Sequence, residues 1–149
     1  MTKQKHMGRI VTLVLVIAIA LCALASCGKS SKSGFVTVVI GTETPTEYQV
    51  NMDKVEGGDG LLSVLAYLKT EKNLTYVEAG GMLTEVGDLK PEPPVYLYIY
   101  TSVKEDFDVS TYATTMEYKG QTLKSSGVGA KDMHMTDGAV IYIGTINYG

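Results

Sequence analysis

The stretch Val95–Ser102, VYLYIYTS, restricts the possible folds more than any other part of the chain. Its residues alternate between two chemistries. Val95, Leu97 and Ile99 fall on one side, and Tyr96, Tyr98 and Tyr100 on the other. Successive side chains of a strand point to opposite faces, so the pattern predicts a β-strand with one aliphatic and one aromatic face. The aliphatic face needs an apolar cover, and the chain offers one. In LLSVLAYLK, Leu61, Leu62, Leu65 and Leu68 share a helical face, with Val64 beside them. This spacing predicts a single short amphipathic helix over 59–70, with Asp59 as its N-cap. The tyrosines are then left on the outer face of the sheet.

The other segments read mostly as strands. FVTVVIG (35–41) is rich in β-branched residues, TETPT (42–46) has turn chemistry, and EYQVNM (47–52) alternates, so the three predict a hairpin. NLTYVEAGGMLTEVGDL (73–89) predicts two short strands, or a strand and a loop, broken at Gly80-Gly81. LKPEPP is a loop. KEDFDVSTYA is a polar excursion, and TTMEYKGQTL is extended with a turn at Lys119-Gly120. The segment from Ser125 to Asp137 is loop, and AVIYIGTINY is a terminal strand. A hairpin, one helix and then several strands predict an α+β fold, a two-layer sandwich with one amphipathic helix packed on a mixed β-sheet.

That order resembles the β-grasp. Val50-Asn51-Met52 followed by Gly58-Asp59-Gly60-Leu61-Leu62-Ser63-Val64-Leu65 is similar to the turn-then-helix start of such domains. Glu117-Tyr118-Lys119-Gly120-Gln121, Gly127-Val128-Gly129-Ala130 and Met135-Thr136-Asp137-Gly138-Ala139-Val140-Ile141 are similar to their C-terminal half. Together these motifs resemble the transcobalamin-C-terminal-like domain of unknown function, a β-grasp-like family found in many lipoproteins and surface proteins of Gram-positive bacteria. The resemblance covers nearly all of 35–148. Two departures stand out: Lys119-Gly120 replaces the usual Asn-Gly, and the chain has no Trp. In transcobalamin-type proteins the related domain covers cobalamin opposite a large helical domain. No such domain is read in this sequence, so cobalamin does not carry over and no cofactor is expected.

The N-terminal region explains where such a domain would sit. Lys3, Lys5 and Arg9 precede an apolar run from Ile10 that leads to Leu24-Ala25-Ser26-Cys27. A basic start, an apolar middle and small residues at the exit are the parts of a secretory signal. Leu24, Ala25, Ser26 and Cys27 resemble the lipobox of bacterial lipoproteins. The resemblance implies a lipid thioether on the Cys27 sulfur and cleavage just before that residue. The expected organisation is therefore a cleaved signal peptide (1–26), a lipidated cysteine with a flexible Gly/Ser tether (27–34), and a β-grasp-like domain (35–149). The expected location is the extracytoplasmic face of the cell membrane of a Gram-positive bacterium, held through the lipid on Cys27.

Cleavage leaves ten basic and sixteen acidic residues, a formal charge of −6. An acidic domain lacks the basic footprint of a nucleic-acid binder, so no nucleic-acid partner is expected. No cysteine follows Cys27, which removes disulfides, thiolate zinc sites and a thiol nucleophile. His134 is the one histidine left, in the loop KDMHMTD, and reads as a solvated side chain rather than a base. No catalytic residues are expected, and the chain is read as a non-enzyme. Residues 106–117, DFDVSTYATTME, place Asp106, Asp108, Ser110, Tyr112, Thr114 and Glu117 at the ligand positions of an EF-hand loop. Thr111 stands where that loop needs glycine and strands flank the segment, so a solvated acidic loop is expected and no metal site.

The tyrosines remain. Tyr96, Tyr98 and Tyr100, extended by Tyr118 and Tyr142 on neighbouring strands, form a candidate face for a small molecule, a glycan or a protein partner. Tyrosine offers amphipathic contact area with little entropy to lose. A plainer possibility is that these rings only pack the open side of the fold. Two functions follow: a lipid-anchored binding domain, or a structural or adhesive accessory domain of an envelope complex acting by strand-edge pairing. The anchor is directly testable. Cys27→Ala should abolish labelling by a radioactive fatty acid and leave an uncleaved precursor on a gel; normal processing of that variant would contradict the lipobox.

Overall fold

The structure is a computed structural model, and it describes residues 33–149. The signal segment, Leu24, Ala25, Ser26, Cys27 and the tether as far as residue 32 lie outside the described residues. Strands β1 (Phe35–Ile40) and β2 (Thr46–Asn51) form the first hairpin, and helix α1 (Gly60–Lys72) follows it. Next come β3 (Tyr76–Ala79), β4 (Met82–Val86), β5 (Val95–Thr101), β6 (Thr115–Tyr118), β7 (Gln121–Ser125) and β8 (Val140–Asn147). Short 3₁₀ turns occupy Met52–Lys54, Lys104–Asp106 and Ala130–Asp132.

Six strands make one sheet in the order β2-β1-β8-β5-β7-β6, and β3 pairs with β4 in a separate small sheet. The C-terminal strand β8 enters the middle, parallel to β1 and antiparallel to β5. The remaining pairings are antiparallel. The class is α+β, a helix on a mixed sheet with β-grasp-like topology, as the order of segments predicts.

Alternation divides the sheet into two faces. On the inner face Val36, Val38 and Ile40 of β1, Val50 of β2, and Ile141 and Ile143 of β8 meet Leu61, Val64, Leu65 and Leu68 of the helix. Leu97 and Ile99 of β5 pack against this cluster, as their place in the alternation requires. Leu74, Leu83 and Val86 close one end of the core from the β3–β4 hairpin and the chain leading into it. Full burial of side chains such as these contributes roughly 1.5–3 kcal/mol each, which makes the inner face the main source of stability.

The helix departs from expectation at three points. Its buried stripe is Leu61, Val64, Leu65 and Leu68; Leu62 sits at the flank, only half-buried. It runs on to Lys72, because Asn73 takes the left-handed conformation (φ 55°) and donates its N–H to the Leu68 carbonyl. Asp59 holds the N-cap position, yet its side chain makes no capping bond. Instead its N–H donates to Ser63 Oγ at 2.9 Å while its carbonyl accepts the Ser63 N–H at 3.3 Å. Gly60 explains how the chain enters so closely. Its φ is +49°, and a Cβ there would lie within 2.6–2.9 Å of the carbonyl oxygens of Ala130, Lys131 and Met133.

The difference between Leu65 and Leu62 can be measured. Leu65→Ala should lower unfolding free energy by about 2–5 kcal/mol in urea titrations, and Leu62→Ala by clearly less. Equal losses would contradict the packing described.

Candidate functional site

The outer face of the sheet carries a second, smaller core. Val39 of β1, Leu123 of β7 and Tyr142 of β8 are buried together, with Tyr100, Met116, Tyr118 and Val140 packed against them. They meet because the β6–β7 hairpin folds over this face. Lys119 and Gly120 form its turn, both with positive φ (49° and 77°), which suits a tight hairpin turn and places the expected turn correctly. At the tip, Tyr118 Oη donates to Glu47 Oε2 at 2.6 Å, and Lys119 Nζ reaches the same oxygen at 2.6 Å. Glu47 belongs to β2, at the opposite edge of the six-stranded sheet. Lys119 first, and then Tyr118, hold the Glu47 carboxyl below its ordinary range, while Glu47 raises the pKa of both partners.

The tyrosines of this face form a connected series. Tyr96 and Tyr148 stand 6.0 Å apart, Tyr98 and Tyr100 5.2 Å, and Tyr118 and Tyr142 5.4 Å between ring centres, all within the range of aromatic pairing. Burial first, and then the neighbouring Tyr98, raises the Tyr148 pKa, and Tyr100 lies directly opposite Tyr142 in the β5–β8 register. The series grades from exposed to buried. Tyr148 is 65% and Tyr96 47% exposed, whereas Tyr142 is 7% exposed.

That gradient corrects one expectation. Tyr118 and Tyr142 do not simply extend an exposed surface: Tyr142 is buried under the β6–β7 hairpin, and Tyr100 and Tyr118 pack beside it. The Tyr142 hydroxyl points toward the Thr42 carbonyl at 3.5 Å, and the Tyr100 hydroxyl accepts from Thr114 Oγ1 at 3.3 Å. The sequence reading missed Tyr148, although the signal was present. Tyr142, Gly144, Ile146 and Tyr148 are two residues apart and so continue one face of β8.

Gly144 leaves an opening in this face. It lies opposite Tyr98, and a Cβ on it would come within 3.2 Å of Tyr142 Cε1. The space beside it is a groove of about 240 Å³ bordered by Gly41, Thr42, Tyr100, Met116, Tyr142 and Thr145. The arrangement offers ring faces, hydroxyls and backbone carbonyls, which are groups for holding a ligand rather than for transforming one.

His134 corrects another expectation, for it is not a free loop side chain. Its Nδ1 lies 2.6 Å from Asp106 Oδ1, and its backbone N–H donates to Asp106 Oδ2 at 2.9 Å. Asp106 is wholly buried, while the histidine side chain is 58% exposed. The partner is not an aspartate of its own loop but a residue 28 positions earlier in sequence. This pairing also takes Asp106 out of the EF-hand pattern. Asp108 turns instead to the Ser110 N–H at 2.8 Å, and Tyr112 is 84% exposed. Among the described residues no group of three or more His, Cys, Asp or Glu is placed to hold a metal ion.

The Asp106 carboxylate raises the His134 pKa above its ordinary 6.5, first by the hydrogen bond and then by charge, with Glu105 adding to it and partial desolvation opposing. A raised folded-state pKa means that the stabilisation is full below the unfolded value and is lost as pH climbs through the folded one. Thermal unfolding midpoints should therefore fall as pH rises from about 6 to about 8, the range in which histidine titrates. His134→Asn should flatten that slope. An unchanged slope in the variant would show that other groups cause it.

No protein-family model matches the chain, and no curated protein matches it. Among solved structures, the crystal structure of a "putative metal binding protein" from Ruminococcus gnavus is similar to it. The TM-score is 0.50 at 12% identity, over 78% of this chain and all of that one. At that identity the likeness is one of fold.

Proposed function

We propose that this chain is a lipid-anchored, extracytoplasmic, non-catalytic binding domain that holds a ring-bearing small molecule or glycan on the outer face of its sheet. The anchor rests on Leu24-Ala25-Ser26-Cys27 and the basic, apolar segment before it. The membership of a transcobalamin-C-terminal-like family rests on the motifs at 50–65, 117–121, 127–130 and 135–141.

The observation that carries the binding reading is the connected tyrosine series beside the Gly144 groove. Its exposed end, Tyr96 and Tyr148, presents rings and hydroxyls; the half-buried Tyr98 and Tyr100 lead to the buried Tyr142, which fixes the series on a rigid support. Small-molecule sites are mostly apolar and aromatic, with a few polar groups that set orientation, and this face has that make-up. A flat or ring-shaped ligand gains most from it, because it can lie against ring faces while the hydroxyls meet its polar rim. A metal ion is a poor fit. The acidic residues nearest to a ligand pattern, Asp106 and Asp108, are occupied by His134 and Ser110.

Substitution separates packing from binding. Tyr96→Ser and Tyr148→Ser should change stability by less than about 0.5 kcal/mol, the usual range for surface positions. Tyr142→Ser should cost about 3 kcal/mol or more, as truncation of a buried ring does. The ligand readout is a titration with nucleosides and neutral mono- and disaccharides, following the ring resonances of Tyr96, Tyr98 and Tyr148. Saturable shifts that vanish in Tyr96→Ser support the face. Strong destabilisation by Tyr96→Ser or Tyr148→Ser would show that even the exposed rings serve packing.

A further inference from the structure

Between the turn of the first hairpin and the turn after β4 lies a groove of about 300 Å³. One wall carries Thr42, Glu43 and Thr44; the other carries Gly87, Asp88 and Leu89. The floor is apolar. Ile40 and Leu74 are buried there, and Tyr48 and Leu89 are half-buried against the core. Tyr48 lies opposite Val38 in the hairpin register, and residues directly opposite share a face. The groove therefore opens on the helix side of the sheet, not on the tyrosine side.

Backbone bonds hold both walls. The Val86 N–H donates to the Leu89 carbonyl at 3.0 Å and the Leu89 N–H to the Val86 carbonyl at 2.9 Å, which closes the turn that carries Asp88. The Gly87 N–H donates to the Thr75 carbonyl at 2.8 Å and ties this turn to the chain entering β3. Across the groove, the Gly41 N–H donates to the Ile143 carbonyl at 3.1 Å. Gly41 has a φ of +136°, and a Cβ on it would lie 2.8 Å from Pro45 Cα, so the hairpin turn is tightly folded. A groove with walls fixed in this way spares a ligand the cost of ordering them.

The polar groups of the groove are of one kind. Glu43 and Asp88 belong to opposite walls, and ionised carboxylates only accept hydrogen bonds. Hydroxyls of Thr42, Thr44, Thr46 and Tyr48 accept as well. Among the described residues that line the groove there is no lysine, arginine or histidine. Carboxylates elsewhere are engaged: Glu47 with Lys119, Glu85 with Lys90, and Asp106 with His134. Among the described residues neither Glu43 nor Asp88 has a side-chain partner.

Two carboxylates above an apolar floor select a ligand that is cationic at one end and aliphatic along its length. An ammonium group suits them, since it has three donors and no acceptor. An anion is repelled, and a bare metal ion leaves the apolar floor unused. We propose that this groove binds an aliphatic primary amine, with its ammonium at Glu43 and Asp88 and its methylene chain over Ile40, Leu74 and Leu89. The site is separate from the one on the tyrosine face. Gly41 and Thr42 border both grooves, but Glu43, Gly87, Asp88 and Leu89 border only this one.

The test uses n-pentylamine, titrated at low salt into the full-length chain in a nonionic detergent. NMR follows the backbone amides of Glu43, Gly87, Asp88 and Leu89, which should shift together and saturate. Uncharged n-pentanol has nearly the same shape and should bind on the order of tenfold more weakly, for want of the two ion pairs. Glu43→Gln and Asp88→Asn should each weaken amine binding by about two- to fivefold, the range of an exposed ion pair. Both residues are exposed, so the fold should persist, and unchanged amide shifts of Val38 and Leu65 would verify it. Glu117→Gln removes an equal charge from the distant β6 and should leave binding as it was. The proposal is overturned if the shifts do not saturate, if pentanol binds as well as the amine, or if Glu117→Gln weakens binding as much as Glu43→Gln. It is overturned as well if calcium shifts the same amides at lower concentration than the amine, which would assign the carboxylates to a metal ion. Binding that survives Tyr96→Ser and Tyr148→Ser supports a separate site; its loss in either variant would merge the groove with the tyrosine face and overturn it.

Discussion

Insertion of β8 between β1 and β5 is the constraint on which the rest of the architecture depends. It joins the N-terminal hairpin to the C-terminal half of the domain, with Thr37 opposite Val140 on one side and Thr101 opposite Ile141 on the other. Because side chains alternate with a period of two, a shift of one residue would move Ile141 and Ile143 out of the core and Tyr142 into it. The correct register sets the aliphatic residues against Leu61, Leu65 and Leu68 and turns every tyrosine of β5 and β8 outward. The aromatic face is therefore a consequence of the same register that builds the core. It needs no separate folding signal.

The outer face is then divided by the β6–β7 hairpin. Where the hairpin covers the sheet, Tyr142 and Val39 are buried and the rings stabilise the fold. Where it stops, Tyr96 and Tyr148 pair with each other and stand exposed. The Glu47–Lys119 contact at its tip is solvent-exposed and adds little stability of its own, as surface ion pairs generally do. Apolar contact of Leu123 and Met116 with Val39 and Tyr142 accounts for the closure. For the binding proposed on this face, rigid rings at one end of the series would reduce the ordering cost at the other.

Much of this was legible in the sequence where the signal was local. The alternation in Val95–Thr101, the helix period of Leu61, Leu65 and Leu68, and the Lys119-Gly120 turn each depend on neighbours a few residues apart. What stayed hidden depends on distant residues. Nothing near Glu47 announces Tyr118, 71 positions away, and nothing near His134 announces Asp106. Both are meetings of loop or hairpin ends whose directions follow from the curl of the finished sheet. Asp59 shows a local rule losing to tertiary packing. The residue type suited a cap, but the close approach of the 130–133 carbonyls at Gly60 leaves the capping position shaped by other contacts, and Ser63 takes the Asp59 N–H instead.

Strand β5 carries two surfaces that alternation keeps apart. Tyr96, Tyr98 and Tyr100 turn their backbone groups toward β8 and their rings to the outer face. Leu97 and Ile99 turn their side chains into the core and their backbone groups toward the side that β7 covers only in part. A ligand on the rings, as proposed, would therefore touch side chains of even-numbered residues and leave the backbone groups of the odd-numbered ones uncovered. Substituting a tyrosine leaves those backbone groups in place. The coupling between the two surfaces runs only through the position of β5 itself. That position is fixed by seven register pairs with β8, so the two surfaces should act nearly independently.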